Sequence, residues 1–324
     1  MLYYVNLYEL INFVKGESMR NILNSKDEVA DFIRESFKAT DGESSLPFKV
    51  LKMPMTGPDG LESPEFGLWR SDTWDYVSSK SVRSGYNPHQ TSDVVQLGIA
   101  ATESFDVPVS VDCHFQGGHY ITILPTKEFR RSIYGTSDNV FPRFQISAKY
   151  GSGGFQASLG IYRDVCSNMA MLKSVTSTTT MIRHDSNFSE NYDSLLAQFS
   201  CLRERWGTVA DACEQMESIK VNLKDFYNFM FPISESDSAR KKSAHEKMIT
   251  KIHSRLLRER FETGRDSQVL DSPVSGWEAW NAITGYVQHD KRRKKNPSFF
   301  ERVISANRDS MCQKAEEYIF SLAS

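Results

Sequence analysis

Asp112, His114 and His119 surround one glycine turn and could hold a divalent metal. Asp112 and His114 share a strand face by period 2, and His119 follows across Gly117-Gly118. Two or three such donors are the minimum for a site, and a metal-dependent nuclease would be its use. No fourth ligand and no residue to orient the rings can be named. A polar hairpin tip accounts for the same residues, so neither a metal nor a cofactor is expected. Cys166, with His184 downstream, has the types of a thiol nucleophile and its base. Nothing supplies an oxyanion donor, and a cysteine at a strand end ordinarily packs as a small hydrophobe. Gly151-Ser152-Gly153-Gly154 joins two strands, whereas a phosphate loop opens a helix.

Basic residues offer a different chemistry. Lys149, Arg163, Lys173 and Arg183 punctuate the middle of the chain. From Ala239 to Arg265 there are nine Lys/Arg and three Asp/Glu, including Arg240, Lys241, Lys242, Lys247, Lys251, Arg255, Arg258 and Arg260. Lys291, Arg292, Arg293, Lys294 and Lys295 form a second run. The total charge is only −2, so the rest of the chain is strongly acidic. A lone charge run is usually a solvated face. Two separated runs in an acidic chain support phosphate contact, with Tyr150, Phe155 and Tyr162 as candidate stacking platforms for bases, although Phe155 reads better as core packing.

The elements that must position these residues change period halfway along. Phe144, Ile146, Ala148 and Tyr150 alternate with polar residues, as do Phe155, Ala157, Leu159 and Ile161 beyond the glycines. They predict a central hairpin over 144–162. Val107 to Phe115 and Tyr120 to Leu124 predict a similar one. Phe66–Arg70 and Trp74–Val82 predict an earlier strand pair, after an irregular loop from Met53 to Pro64. Ser25 to Glu28 is a capping box opening a helix that ends near Ala39, and Pro88 to Thr102 reads as another. Leu195, Phe199, Leu202, Trp206, Val209, Cys213 and Met216 are spaced four and three alternately. This seam predicts a long helix packed on the sheet, or a self-association surface. Asn222–Phe231, Ser243–Phe261, the stretch opened by the capping box at Ser275, and Ser298–Leu322 predict further helices.

The expected fold is therefore α+β. An antiparallel β-meander sheet occupies the first half, with long helices packed on it from the second. Residues 1–18 form an N-terminal extension, 19–233 an α+β core and 234–324 a basic helical region. The extension is apolar but lacks a basic leader, and either Met19 is the natural start or it packs as a short helix. Five cysteines without a C-x-x-C fit a reducing cytoplasm. No apolar run is long enough for a membrane span.

Three stretches resemble the phage/plasmid-like proteins of unassigned function found in tailed phages and mobile elements. One is Leu68-Trp69-Arg70-Ser71-Asp72 with Tyr86-Asn87-Pro88. The second is Gly153-Gly154 with Arg163-Asp164-Val165-Cys166-Ser167-Asn168 and Arg183-His184. The third is Gly276-Trp277 through His289. The extension and the Lys291–Lys295 run depart from that pattern. The resemblance implies a phage-encoded protein of DNA metabolism in the bacterial cytoplasm. In outline the chain is also similar to single-strand annealing recombinases of the RecT and Red-beta kind. The leading expectation is an ATP-independent single-stranded DNA-binding or annealing protein acting as a homo-oligomer, since no ATP motif is present. Its phosphate contacts would be Lys149, Arg163, Lys173, Arg183 and the two basic runs. A counter-defence protein that binds a host protein or sequesters a nucleotide is the alternative, and a nuclease the third.

Overall fold

The computed structural model describes residues 22–40, 46–126, 129–133, 138–151, 154–163, 179–199, 201–265, 273–291 and 309–323. Strands β1 (Ile22–Leu23), β2 (Val50–Thr56), β3 (Glu62–Arg70), β4 (Val109–Phe115), β5 (Gly118–Pro125), β6 (Arg131–Ser132), β7 (Asn139–Lys149), β8 (Phe155–Arg163) and β9 (Thr179–Ile182) fill the first half. Helices α1 (Lys26–Ser36) and α2 (Thr91–Phe105) interrupt them. The second half holds α3 (Phe188–Phe199), α4 (Leu202–Ser218), α5 (Leu223–Met230), α6 (Ala239–Glu262), α7 (Gly276–Gly285) and α8 (Ser310–Ser321). Short strands β10 (Lys220–Val221) and β11 (Val274–Ser275) pair with each other. The fold is α+β, as expected.

The main sheet is antiparallel, in the order β1-β4-β5-β7-β8-β9, with β6 on β7. Its centre is the predicted hairpin, β7 and β8, turning at Gly151 with φ +73°. One face carries Val109, Val111, Ile121, Ile123, Phe144, Ile146, Phe155, Leu159 and Ile161, all buried. Helices cover this inner face: Phe144 meets Phe199 of α3 edge-on at 4.7 Å, and Phe155 meets Tyr192 at 5.8 Å. The same hydrophobic cluster takes in Ile252 and Leu256 of α6 and Trp277 and Trp280 of α7. The basic helix is thus anchored in the common core.

Two expectations are corrected. The stretch from Met53 to Pro64 is mostly strand: β2 pairs with β3, and the register shifts between Pro54 and Thr56. Pro54 is tolerated because this is a two-stranded sheet with a bulge at that point. Trp74–Val82 contributes only single bridges, Trp69 to Tyr76 and Phe66 to Val82. The second correction concerns the heptad seam. It is divided at Cys201 between α3 and α4, and all seven of its residues are buried within the chain. Leu195, Leu202, Cys213 and Met216 are completely shielded, so the seam is interior packing and no longer supports self-association.

Candidate nucleic-acid interface

Helix α6 starts where the Ser238 side chain accepts from the Lys241 amide, and it runs for 24 residues. Ile252, Leu256 and Glu259 are its buried side. On the other side, Arg240, Lys247, Lys251 and Arg258 are exposed. At 100° per residue these four lie within about 40° of one another and span about 27 Å of axis. Lys247 and Lys251 are four apart with no opposite charge between them, so their repulsion costs a few tenths of a kcal/mol. Arg258 pairs with Glu262 at 2.7 Å while staying well exposed.

The remaining basic candidates are dispersed. Lys241 is paired with Asp237 at 2.7 Å, and Lys242 donates to the Glu235 carbonyl at 3.1 Å. Arg255 is half-buried and held by Asp290 through two bonds of 2.6 and 3.1 Å. Lys291 is paired with Asp309. Lys149 and Arg183 follow the Ala148 and Ile182 positions that pair with Phe155. They therefore lie level with Gly154, about 30 Å along β8 from Arg163 at 3.3 Å per residue. Lys149 is half-buried near the Tyr120 ring, and Arg183 is exposed. Lys173, Cys166 and Arg292, Arg293, Lys294 and Lys295 lie outside the described residues, as does the extension 1–18.

Arg163 is not a phosphate contact. It continues the inner alternation of Phe155, Ala157, Leu159 and Ile161, and it is 1% exposed. Its Nη2 and Nε donate to Asp138 at 2.6 and 3.0 Å, and Nη1 donates to Glu259 of α6 at 2.7 Å. Trp277 of α7 donates its indole N–H to Asp138 at 2.8 Å and lies under the guanidinium. A buried guanidinium persists because both flanking carboxylates neutralise it. Tyr150 and Phe155 are also interior, on the same parity, and Tyr162 is buried on the other face. None of the three is an exposed stacking platform.

The proposed metal trio is divided by the sheet. Asp112 pairs with Thr122 and His114 with Tyr120 on the outer face, while His119 pairs with Phe115 on the inner one. Among the described residues no group of three ligating side chains could hold a metal ion. His119 instead belongs to a chain of imidazoles that sequence reasoning missed. His89 Nδ1 lies 2.7 Å from His184 Nε2, and His89 Nε2 lies 3.1 Å from His119 Nδ1. Thr91 Oγ1 is 3.0 Å from His119 Nε2. These are hydrogen-bond distances, with no room for an ion between rings. Tyr150 stacks on His89 at 4.1 Å and donates to its carbonyl. Burial holds His89 far below the ordinary imidazole range and lowers His119 to about 3. A weak signal was present, since His89 follows Tyr86-Asn87-Pro88 and His184 closes the Arg-His pair.

An antiparallel sheet with one helix-covered face, a buried arginine tie and an exposed cationic helix define an α+β protein with an electrostatic surface. The family described as "Domain of unknown function (DUF932)" matches residues 79–311. The chain belongs to that family, which spans the sheet from before α2 to the start of α8. No curated protein and no solved structure matches it. Among the described residues no helix is long and apolar enough to cross a membrane.

Proposed function

We propose that this protein binds single-stranded DNA along the exposed face of α6. The observation that carries the reading is the stripe of Arg240, Lys247, Lys251 and Arg258 on one side of a helix anchored from behind by Glu259. Cations repeated along about 27 Å suit a phosphate backbone, which takes them without reading sequence. The resemblance to phage/plasmid-like proteins adds the setting: DNA metabolism of a phage or mobile element in the bacterial cytoplasm. Annealing by a homo-oligomer, like that of RecT-type recombinases, belongs to the same proposal but rests on that resemblance alone.

The test is a salt titration of binding to a labelled 30-nucleotide oligo-dT, read by anisotropy, with native mass taken alongside. Each phosphate contact contributes about 0.7 to the slope of log affinity against log salt for single strands. The double variant Lys247→Glu/Lys251→Glu should lower affinity about 10-fold or more and flatten the slope by about 1.4. Absent or salt-independent binding, or a double variant that binds like the parent, would sink the proposal. A monomer that binds would retain the DNA contact and remove the annealing assembly.

A further inference from the structure

Helix α6 carries an aromatic ring where the fold has no use for one. Phe261 is 76% exposed, more than any other large hydrophobic side chain among the described residues. It is the next-to-last residue of the helix, and its ring is not part of the hydrophobic core. The chain leaves the helix there in a Schellman motif. The Gly264 amide donates to the Phe261 carbonyl at 3.2 Å, and the Arg265 amide donates to the Arg260 carbonyl at 2.8 Å. Gly264 closes the turn with φ +71°. The apolar contact that accompanies such a cap joins the positions held here by Arg260 and Arg265. The cap therefore fixes the backbone of Phe261 and asks nothing of its ring.

Its place on the helix shows what the ring accompanies. At 100° per residue, the buried Ile252, Leu256 and Glu259 centre about 170° away from Phe261, so the ring stands straight out from the core. Exposed Thr250 and Ser254 lie within about 20° of it, and Lys247 and Lys251 about 40° and 80° away. Along the axis Phe261 is about 15 Å beyond Lys251. Glu246, the exposed carboxylate of the helix, is about 60° off and about 22 Å back. A cationic stripe alone does not separate duplex from single strand, because both offer phosphates. A duplex keeps its base faces stacked inside and shows only edges in the grooves. A single strand offers the faces, and an aromatic ring beside a cationic track takes them whatever the base.

We infer that Phe261 is the base-stacking residue of the α6 surface and makes it select single-stranded over duplex DNA. The inference rests on the reading of α6 as a DNA-binding face. Lys247 and Lys251 hold phosphates, and the phenyl ring takes one base at the carboxyl end of the helix. It fills the role that Tyr150, Phe155 and Tyr162 cannot, since those rings are buried.

Anisotropy on the full chain tests it, with labelled oligo-dT, an abasic strand of the same length and a duplex as probes. Phe261→Ala should weaken oligo-dT binding about 10-fold, the loss of one stacked base. Its salt slope should stay that of the parent, because no phosphate contact is removed. The abasic strand and the duplex should bind Phe261→Ala and the parent equally. Phe261→Trp should bind oligo-dT at least as tightly as the parent. The melting temperature of Phe261→Ala should match the parent, since the ring is exposed. Equal oligo-dT binding by Phe261→Ala and the parent would overturn the inference and leave the stripe in place. A loss that appears equally on the abasic strand, or that comes with a flattened slope, would overturn it too. If Lys247→Glu/Lys251→Glu binds like the parent while Phe261→Ala does not, the stripe falls and the stacking residue stands. A parent that does not bind oligo-dT sinks both.

Discussion

The Arg163 guanidinium donates to the Glu259 carboxylate at 2.7 Å, and this bond fixes the basic helix to the last residue of β8. The same guanidinium holds Asp138, which in turn receives the Trp277 indole of α7. Sheet, basic helix and tryptophan helix therefore meet at one cation.

Arg163→Met should be severely destabilising. It removes the shared cation from two buried carboxylates, and breaking a buried pair in this way costs about 3–5 kcal/mol. Urea denaturation followed by tryptophan fluorescence measures it. A loss under about 1 kcal/mol would show that the carboxylates do not depend on this arginine.

Stability should fall in mild acid because of His89 and His119. Both are buried and neutral when folded, and burial is the main cause of their lowered pKa values, His119 reaching about 3. The unfolded chain takes up protons near the ordinary 6.5, and the folded chain does not. Their contribution is whole above that value and is lost as the pH drops from it toward 3. Each ring accounts for up to about 1.4 kcal/mol per pH unit in that window. Urea midpoints at two pH values inside and above the window check this, and equal midpoints would contradict neutral rings.

Two glycines should respond oppositely to alanine. A Cβ on Gly118 would lie 2.3 Å from the Ala148 carbonyl oxygen and 2.8 Å from Lys149 Cα, both backbone atoms of the adjacent strand. Gly118→Ala must push β5 from β7 and should cost more than about 2 kcal/mol. A Cβ on Gly207, inside α4, meets nothing within 4 Å. Gly207→Ala should raise stability by up to about 1 kcal/mol through helix propensity. Thermal melts of the two variants should move in opposite directions.

Ser275 closes the amino end of α7. Its hydroxyl accepts from the Glu278 amide at 3.1 Å and donates to Glu217 at 2.7 Å. Ser275→Ala should cost about 1–2 kcal/mol, because it loses the cap and one bond to a buried carboxylate. Ser275→Thr should recover most of that loss in the same denaturation experiment.

The sheet was legible because strands β4, β5, β7 and β8 carry their own alternation, and the capping boxes at Ser25 and Ser275 announced two helices. The β2–β3 hairpin was hidden by Pro54, which signals a loop unless a bulge and a two-stranded sheet accommodate it. Arg163 was misread by type, although its odd parity with Phe155 and Ile161 already aimed it inward. The heptad seam could not disclose its partner, because period 3.5 is the same whether a helix packs on its own chain or another. The imidazole chain was illegible for a different reason. His89, His119 and His184 come from a loop, a strand and the bend just past another strand, and only tertiary packing makes them neighbours.

That chain has a further property. His89 and His119 are held neutral by burial, and a neutral imidazole carries one ring N–H, so the bonds running from Thr91 through these two rings to His184 have just two complete patterns. In one, Thr91 donates to His119, His119 to His89, and His89 to His184. In the other, every donor and acceptor is exchanged, and His119 donates to Thr91. No ring can change tautomer alone without leaving two protons, or none, facing one another. His89 and His119 therefore change tautomer together or not at all, and they hold a single two-position setting written in proton placement.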